Sequence, residues 1–137
     1  FELALHHFVE DCVKQADCPL PRDEQAGVDR INQFLDDLDA SPLATGDPKR
    51  PLTQSLAANA ILSYLYVPPF DWEQLRFGLQ LAFDGDGSVL LSMLDARMQR
   101  TEDGKFAYNP YSSFLSISAV DRPDRPTTEE SADMAAM

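Results

Sequence analysis

The chain has 137 residues and a formal net charge of -12, and apolar residues make up 44% of it. This length suits one domain, and the apolar fraction can supply a hydrophobic core, which excludes a chain that is disordered throughout. The negative charge repels phosphate backbones and anionic lipids, so binding to nucleic acid or to a membrane surface is disfavoured. No apolar run reaches the ~20 residues that a membrane-spanning helix needs.

Apolar residues recur at helical spacing along most of the chain, which predicts a mainly α fold with about five helices. The first helix ends before Pro19, because proline cannot donate the backbone hydrogen bond that a helix requires. The other four are expected at about 23–38, from Thr53 to about 66, from Asp71 to the glycines at 85 and 87, and at 88 to about 100. Thr53 is an expected N-cap, and Asp71 with Gln74 matches a capping box.

Each predicted helix has one apolar stripe that is expected to face a common core. In chain order the stripes contain Phe1, Leu5, Phe8, Val9 and Cys12; Val28, Ile31, Leu35 and Leu38; Ala57, Ala60, Ile61, Tyr64 and Leu65; Trp72, Leu75, Leu79 and Ala82; and Leu90 and Leu94 with Met93 beside them.

The segments between and after the helices are short or irregular. Residues 41–52 are rich in turn formers and predict a loop or a small hairpin, and Asp103-Gly104 predicts a turn. The run 113–120 has the alternation of a single strand, although a lone strand cannot satisfy its own backbone groups. Thr127 begins a last helix that the end of the chain truncates.

Cys12 and Cys18 are the only cysteines. A helix end followed by a turn can bring them within bonding distance, and such a disulfide is typical of exported proteins. Two unrelated thiols, one of them buried on the first helix, fit the spacing equally well.

The residues of a serine hydrolase site are incomplete. The pattern Gly-x-Ser-x-Gly, which places a nucleophile on a sharp strand-to-helix turn, is absent. Ser88 comes closest, but it precedes a helix without a strand before it and is better explained as an N-cap. His6 and His7 are the only histidines, and both fall on the first helix. We therefore assign no catalytic residue.

Metal and cofactor sites are not expected either. His7 and Asp11 can supply two zinc ligands, whereas a zinc site needs three or four. Asp84, Asp86, Ser88 and Asp95 have the spacing of a calcium loop, but its sixth position must be glycine and is Val89 here. Phosphate-binding loops and basic runs are missing from the sequence. The aromatic residues Tyr64, Tyr66, Phe70 and Trp72 cluster, and they form either core or the wall of a ligand pocket.

Several short motifs occur in an order that is found in one family. They are Phe8 to Leu20, Pro42-Leu43, Arg50 to Thr53, Leu65-Tyr66 with Trp72, Gly85 to Ser88 with Leu90-Leu91, Arg100, Asp103-Gly104 and Ala119 to Asp121. In this order the chain resembles the insertion in tripeptidyl-aminopeptidase-like α/β-hydrolases, which are secreted actinobacterial serine peptidases related to proline iminopeptidases. The resemblance covers nearly the whole chain.

The resemblance implies a domain division and a set of partners. Residues 1–112 would be a helical lid, and residues 113–137 would be the catalytic α/β-hydrolase domain resuming with a strand and the start of a helix. The triad serine would then lie before Phe1, and its Asp and His after Met137. Asp121 ends the predicted strand, but the family's acid comes from a later strand. Relatives often have cysteine where Ala119 stands. The partners implied are the parent's catalytic domain and short peptides, in a secreted protein, and a Cys12–Cys18 disulfide is implied as well.

The sequence also fits a second class of protein. A stand-alone acidic helical interaction domain without enzymatic activity fits the same composition. The run 113–120 separates the two classes, because a complete domain would pair this strand within the chain. Since the sequence opens on Phe1 and closes on Met137 within patterned stretches, we expect both ends to be cut points in a longer protein.

The missing nucleophile elbow yields a first prediction, that the isolated chain has no serine hydrolase chemistry. After incubation with a fluorophosphonate probe, intact-mass analysis should show every serine unlabelled, because no base is placed to activate one. Stoichiometric labelling of any serine of the chain would contradict the assignment to a lid.

Overall fold

The computed structural model describes residues 2–66, 69–107, 113, 116 and 117. The chain divides into two compact units, Phe1–Arg97 and Met98–Met137. In the described part of the first unit the backbone forms α1 (Glu2–Cys12), α2 (Glu24–Ala40), α3 (Gln54–Leu65), a short 3-10 helix (Pro69–Asp71), α4 (Trp72–Phe83) and α5 (Ser88–Arg97). The mainly α fold expected from the hydrophobic periodicity is confirmed.

The predicted stripes form the core of the first unit with few exceptions. α3 packs against α5, α2 and α4, and α1 packs against α2. The side chains of Phe8, Ile31, Ile61, Leu75 and Leu79 are almost completely buried. Fully burying a side chain of this kind stabilises a fold by about 1.5–3 kcal/mol, so the interlocked stripes hold the five helices together.

On α2 the predicted stripe is wrong at one position. Phe34 is buried, and its ring meets that of Phe83 edge to face with centroids 5.3 Å apart, whereas Leu35 is only half-buried. The ring of Phe34 fills the space beside α4, and Leu35, the next residue along α2, is left half-buried.

The expected starts of α2 to α5 are correct in position, but the cap differs at two of them. Asp23 and Thr53 accept hydrogen bonds from Ala26 and Leu56, as N-caps do. Asp71 makes no capping bond, because the preceding 3-10 helix leaves it with helical dihedral angles. Ser88 begins α5, but the carboxylate of Asp86 caps its amide at 2.8 Å.

Residues 41–52 form a small hairpin. Leu43 and Leu52 make one antiparallel bridge, with N–H to O=C distances of 3.1 and 2.8 Å. The guanidinium of Arg50 donates two hydrogen bonds to Asp95 of α5, at 2.6 and 2.8 Å, and this bonding raises the pKa of Arg50. A bidentate pair of this geometry fixes both position and orientation, so the hairpin is held to α5.

In the second unit only a short stretch and three further residues are described. Arg100 and Phe106 form an antiparallel bridge, and Gly104, with φ of +81°, closes the turn that was expected at Asp103-Gly104. α5 ends at Arg97 rather than near Arg100, and Gln99 has φ of 51°, at which a right-handed helix cannot continue.

Most of the predicted strand at 113–120 and the whole predicted helix from Thr127 lie outside the described residues, as do Ala119 and Asp121. At the three described positions, Ser113, Ser116 and Ile117, the backbone is helical rather than extended.

Gly87 offers a test of how the hairpin packs on the start of α5. A Cβ at this position would lie 2.6 Å from Cβ of Leu52 and 3.2 Å from Cβ of Leu43. We expect Gly87→Ala to lower the free energy of unfolding by about 1–3 kcal/mol, because the bridge must move to admit the methyl group. Urea denaturation followed by circular dichroism measures this loss. Ser92→Ala, on the exposed face of α5, is the control and should stay within about 0.5 kcal/mol; equal stability of the two variants would contradict the packing.

Candidate functional site

A groove of about 490 Å³ lies between α1, with the turn after it, and the residues on either side of the α3–α4 connection. Leu65 and Trp72 are buried there, whereas His7, Glu10 and Lys14 are exposed. We call this the α1 groove and define it by its lining, Ala4, His7, Glu10, Asp11, Lys14, Leu65, Pro69 and Trp72. It combines apolar surface with charged groups, as ligand-binding grooves do.

Trp72 connects the α1 groove to the core. Its ring meets that of Phe8 edge to face with centroids 5.7 Å apart, and its indole N–H donates to the carbonyl oxygen of Tyr64 at 3.2 Å. A buried indole usually finds such a partner, and the bond fixes the angle of the ring. Within the predicted aromatic cluster, Trp72 is therefore part of the core and also lines the α1 groove. Tyr66 is 71% exposed, and the side chain of Phe70 lies outside the described part.

The exposed edge of the groove carries a chain of charges along α1. Lys14 Nζ lies 2.9 Å from Glu10 Oε1, and His7 Nδ1 lies 3.9 Å from Glu10 Oε2. Hydrogen bonding to Lys14 lowers the pKa of the Glu10 carboxyl, so this group stays ionised through neutral pH. Both pairs are solvent-exposed and contribute little stability, which leaves the three side chains able to rearrange around a ligand.

Arg76 of α4 lies next to the groove and is the buried charged residue of the described chain, with 8% of its surface exposed. Its Nε donates to Asp17 Oδ2 at 2.9 Å, and its Nη1 lies 3.5 Å from Asp11 Oδ2. The hydrogen bond from Arg76 lowers the pKa of the Asp17 carboxyl. A buried guanidinium needs such partners, since a cation removed from water without compensation is strongly destabilising.

The structure joins Cys12 and Cys18 by a disulfide, with 5.1 Å between their Cα atoms. The bond closes a turn that follows α1. Nη1 of Arg22 donates to the carbonyl oxygens of Val13 and Gln15, both at 2.7 Å, and so holds the same turn from the other side. The pairing implied by the family resemblance is therefore present.

The residues that were considered for chemistry on sequence grounds do not form one site, although His7 and Asp11 both line the α1 groove and Ser88 donates its amide to Asp86. His6 contacts Glu24 at 3.0 Å, His7 contacts Glu10, and Ser88 lies at the start of α5. Asp84 accepts from Gln80, Asp86 caps α5, and Asp95 binds Arg50. Within the described ranges there is no group of three or more His, Cys, Asp or Glu residues that could hold a metal ion.

The sequence did not indicate that charged residues line the α1 groove, and it gave no indication of a second groove. The second groove, of about 580 Å³, lies between α2 and α3 and is lined by Asn32, Leu35, Asp36, Gln54, Ser55, Ala58 and Asn59. The i, i+4 pair Glu10–Lys14 was a usable signal for the first. The groove between α2 and α3 has no such charged pair in its sequence, because its lining comes from two helices whose packing the sequence does not specify.

Comparison with known proteins relates the chain to one class of enzyme. It is 32% identical over 136 residues to proteins named serine protease Hip1 from Mycobacterium bovis and Mycobacterium tuberculosis, and the aligned region covers 94% of the chain. The same region covers 25% of each relative, so the chain spans about a quarter of their length. No protein-family model matches the chain. The chain is thus related in sequence to a segment of a serine protease.

One further observation concerns membranes. In the described part of the chain no helix combines the length and the apolar character that crossing a bilayer requires.

The Arg76–Asp17 bond predicts a pH dependence of stability. Because the pKa of Asp17 is lowered from 3.8 in the folded state, the unfolded chain takes up this proton first as the pH falls. The contribution of Asp17 is therefore complete above about pH 5 and disappears as the pH falls below 3.8 through the folded pKa. Asp17→Asn should lower stability at pH 7 and flatten its decline between pH 5 and pH 2, as measured by urea denaturation across this range.

Asp39→Asn is the control, since Asp39 is an exposed carboxylate on α2. It should leave the decline as steep as in the unchanged protein. An equally steep decline in Asp17→Asn would show that the carboxylate of Asp17 does not depend on Arg76.

Proposed function

We propose that this chain is the lid segment of a secreted serine exopeptidase of the tripeptidyl-aminopeptidase-like type. In this proposal residues 1–112 form the lid, and residues 113–137 belong to the α/β-hydrolase catalytic domain of the parent. The lid covers the active site and restricts the access of peptides, and it performs no catalysis by itself. The nucleophile, acid and base belong to the parent outside this chain.

One observation carries the proposal. Nearly the whole chain aligns with about a quarter of a serine protease, while its own sequence lacks the nucleophile elbow. A segment that is homologous to a protease but lacks the reacting serine supplies a supporting function such as substrate selection. The helical unit Phe1–Arg97 has its own core, as an insertion between the strands of another domain requires.

One surface feature supports a covering role. Leu3 is 72% exposed and lies on the same face of α1 as His7 and Glu10, since i, i+4 and i+7 share one side of a helix. An exposed apolar side chain beside a groove is typical of a surface that another part of a protein covers. We propose that the α1 groove faces the active site and contacts short peptides there.

The mechanism of the lid follows from this placement. A lid that closes over a serine site excludes water while the acyl-enzyme forms and limits which substrates enter. The groove offers apolar contact at Leu65 and Trp72 and charged groups at its exposed edge, which suits a peptide that has both kinds of group. The disulfide supports an exported parent, because disulfides persist outside the reducing cytosol.

The α1 groove and the α2–α3 groove allow a matched test in the full-length parent. Ala4→Phe fills the first groove, and Ala58→Phe fills the second. Ala4→Phe should lower kcat/KM for a tripeptide substrate about tenfold by blocking the peptide, and it should leave the hydrolysis of a small ester such as p-nitrophenyl acetate unchanged.

The comparison of the two substrates separates blocked access from damage to the catalytic centre. Ala58→Phe should leave both activities close to those of the unchanged enzyme. If Ala4→Phe hydrolyses the tripeptide at the normal rate, the groove does not face the substrate. Equal losses on the peptide and the ester would instead mean that the variant disturbs the catalytic domain.

A further inference from the structure

Each of the two cysteines directly follows an aspartate, in the pairs Asp11-Cys12 and Asp17-Cys18. Both aspartates bind the same side chain, Arg76, through its Nη1 at 3.5 Å and its Nε at 2.9 Å. The guanidinium therefore bridges the same two points of the chain that the disulfide bridges. One link is covalent, and the other is ionic and unaffected by reduction.

The burial of Arg76 gives the ionic link its strength, although its two partners are partly exposed. Arg76 is 8% exposed and lies on α4, so the helix core sets its position independently of the disulfide. If either aspartate moved away, the buried positive charge of Arg76 would lose one of its two carboxylate partners. This loss opposes the separation of Asp11 from Asp17. Arg22 adds a second restraint by binding the carbonyl oxygens of Val13 and Gln15, within the loop between the cysteines.

We propose that Arg76 is a clasp that holds the two ends of the Cys12–Cys18 loop together after the disulfide is reduced, so that the disulfide re-forms within the folded chain. In the reduced protein the clasp keeps Asp11 and Asp17 on one guanidinium and thereby keeps the neighbouring thiols close. The effective concentration of one thiol at the other is then higher than the loop alone would give. This inference does not depend on the proposed function.

The re-oxidation step can be written in full with glutathione disulfide as the oxidant. The thiolate of Cys18, which is half-buried where Cys12 is fully buried, attacks one sulfur of glutathione disulfide and releases a glutathione thiolate. The thiolate of Cys12 then attacks Sγ of Cys18 and releases the second glutathione. Two electrons pass from the cysteines to glutathione, and the two cysteine protons end on two glutathione thiols.

Thermodynamic reciprocity links the two cross-links. Whatever factor the clasp adds to the equilibrium constant for forming the disulfide, the disulfide adds to the stability of the clasp. Weakening the Arg76–Asp17 bond must therefore favour the reduced form in a redox buffer. The change in the equilibrium constant for disulfide formation measures the effect of the clasp directly. A loss of global stability alone would not, because it could equally result from lost packing.

The experiment equilibrates the chain in buffers of reduced and oxidised glutathione, alkylates the free thiols and measures the oxidised fraction by intact mass. Asp17→Asn removes one partner, and Arg76→Lys keeps the charge but replaces the two-sided fork by a single ammonium. Both should lower the equilibrium constant for disulfide formation, by about three- to fivefold for the half-exposed Asp17. The controls Asp39→Asn and Arg97→Lys, at exposed positions of α2 and α5, should change it by less than about 1.5-fold.

Circular dichroism of the reduced and oxidised forms establishes that each variant is folded. If Arg76→Lys fails to fold, Asp17→Asn decides the matter, since the side chain of Asp17 is 54% exposed and its loss leaves Asp11 as a partner of Arg76. An equilibrium constant for folded Asp17→Asn that equals those of the controls would overturn the proposal. A selective drop in Asp17→Asn, with both controls unchanged, supports it.

Discussion

The buried guanidinium of Arg76 must be paired with carboxylates, and this requirement constrains much of the fold. Arg76 reaches the interior from α4, and its partners Asp11 and Asp17 stand at the end of α1 and in the turn after it. Because an uncompensated guanidinium in the core would be strongly destabilising, the end of α1 must lie against α4. This requirement also places α1 beside Trp72 and so forms one wall of the α1 groove.

Much of the helical framework was predictable because it depends on local information. The apolar stripe of α4, most of the stripes of α1 and α3, and the cap Thr53 follow from residues a few positions apart, and the structure has them where the sequence placed them. Tyr64, which was expected on the stripe of α3, is only half-buried. Asp71 failed as a cap because the 3-10 helix before it changed its backbone angles. Phe34 displaced Leu35 from the core because the ring of Phe83, on another helix, was there to meet it.

The candidate site was less predictable, and the reason is distance along the chain. Asp17 and Arg76 are separated by 59 residues, so no spacing rule connects them. The aromatic cluster drew attention to Trp72, but the groove exists only because α1 packs alongside it. The resemblance to a family indicated a serine peptidase, which the hydrophobic periodicity could not do. The alignment with serine proteases of Mycobacterium supports a relation to this class of enzyme.

The hairpin at residues 41–52 has a consequence for movement. Its two ends are joined at Leu43 and Leu52, Arg50 is bound to Asp95, and the amide of Gly87 donates to Ala44. A hairpin that is closed by its own bridge and attached at two points, to α5 and to the residue before it, cannot swing as a flap. Any movement of α5 must therefore carry this hairpin with it.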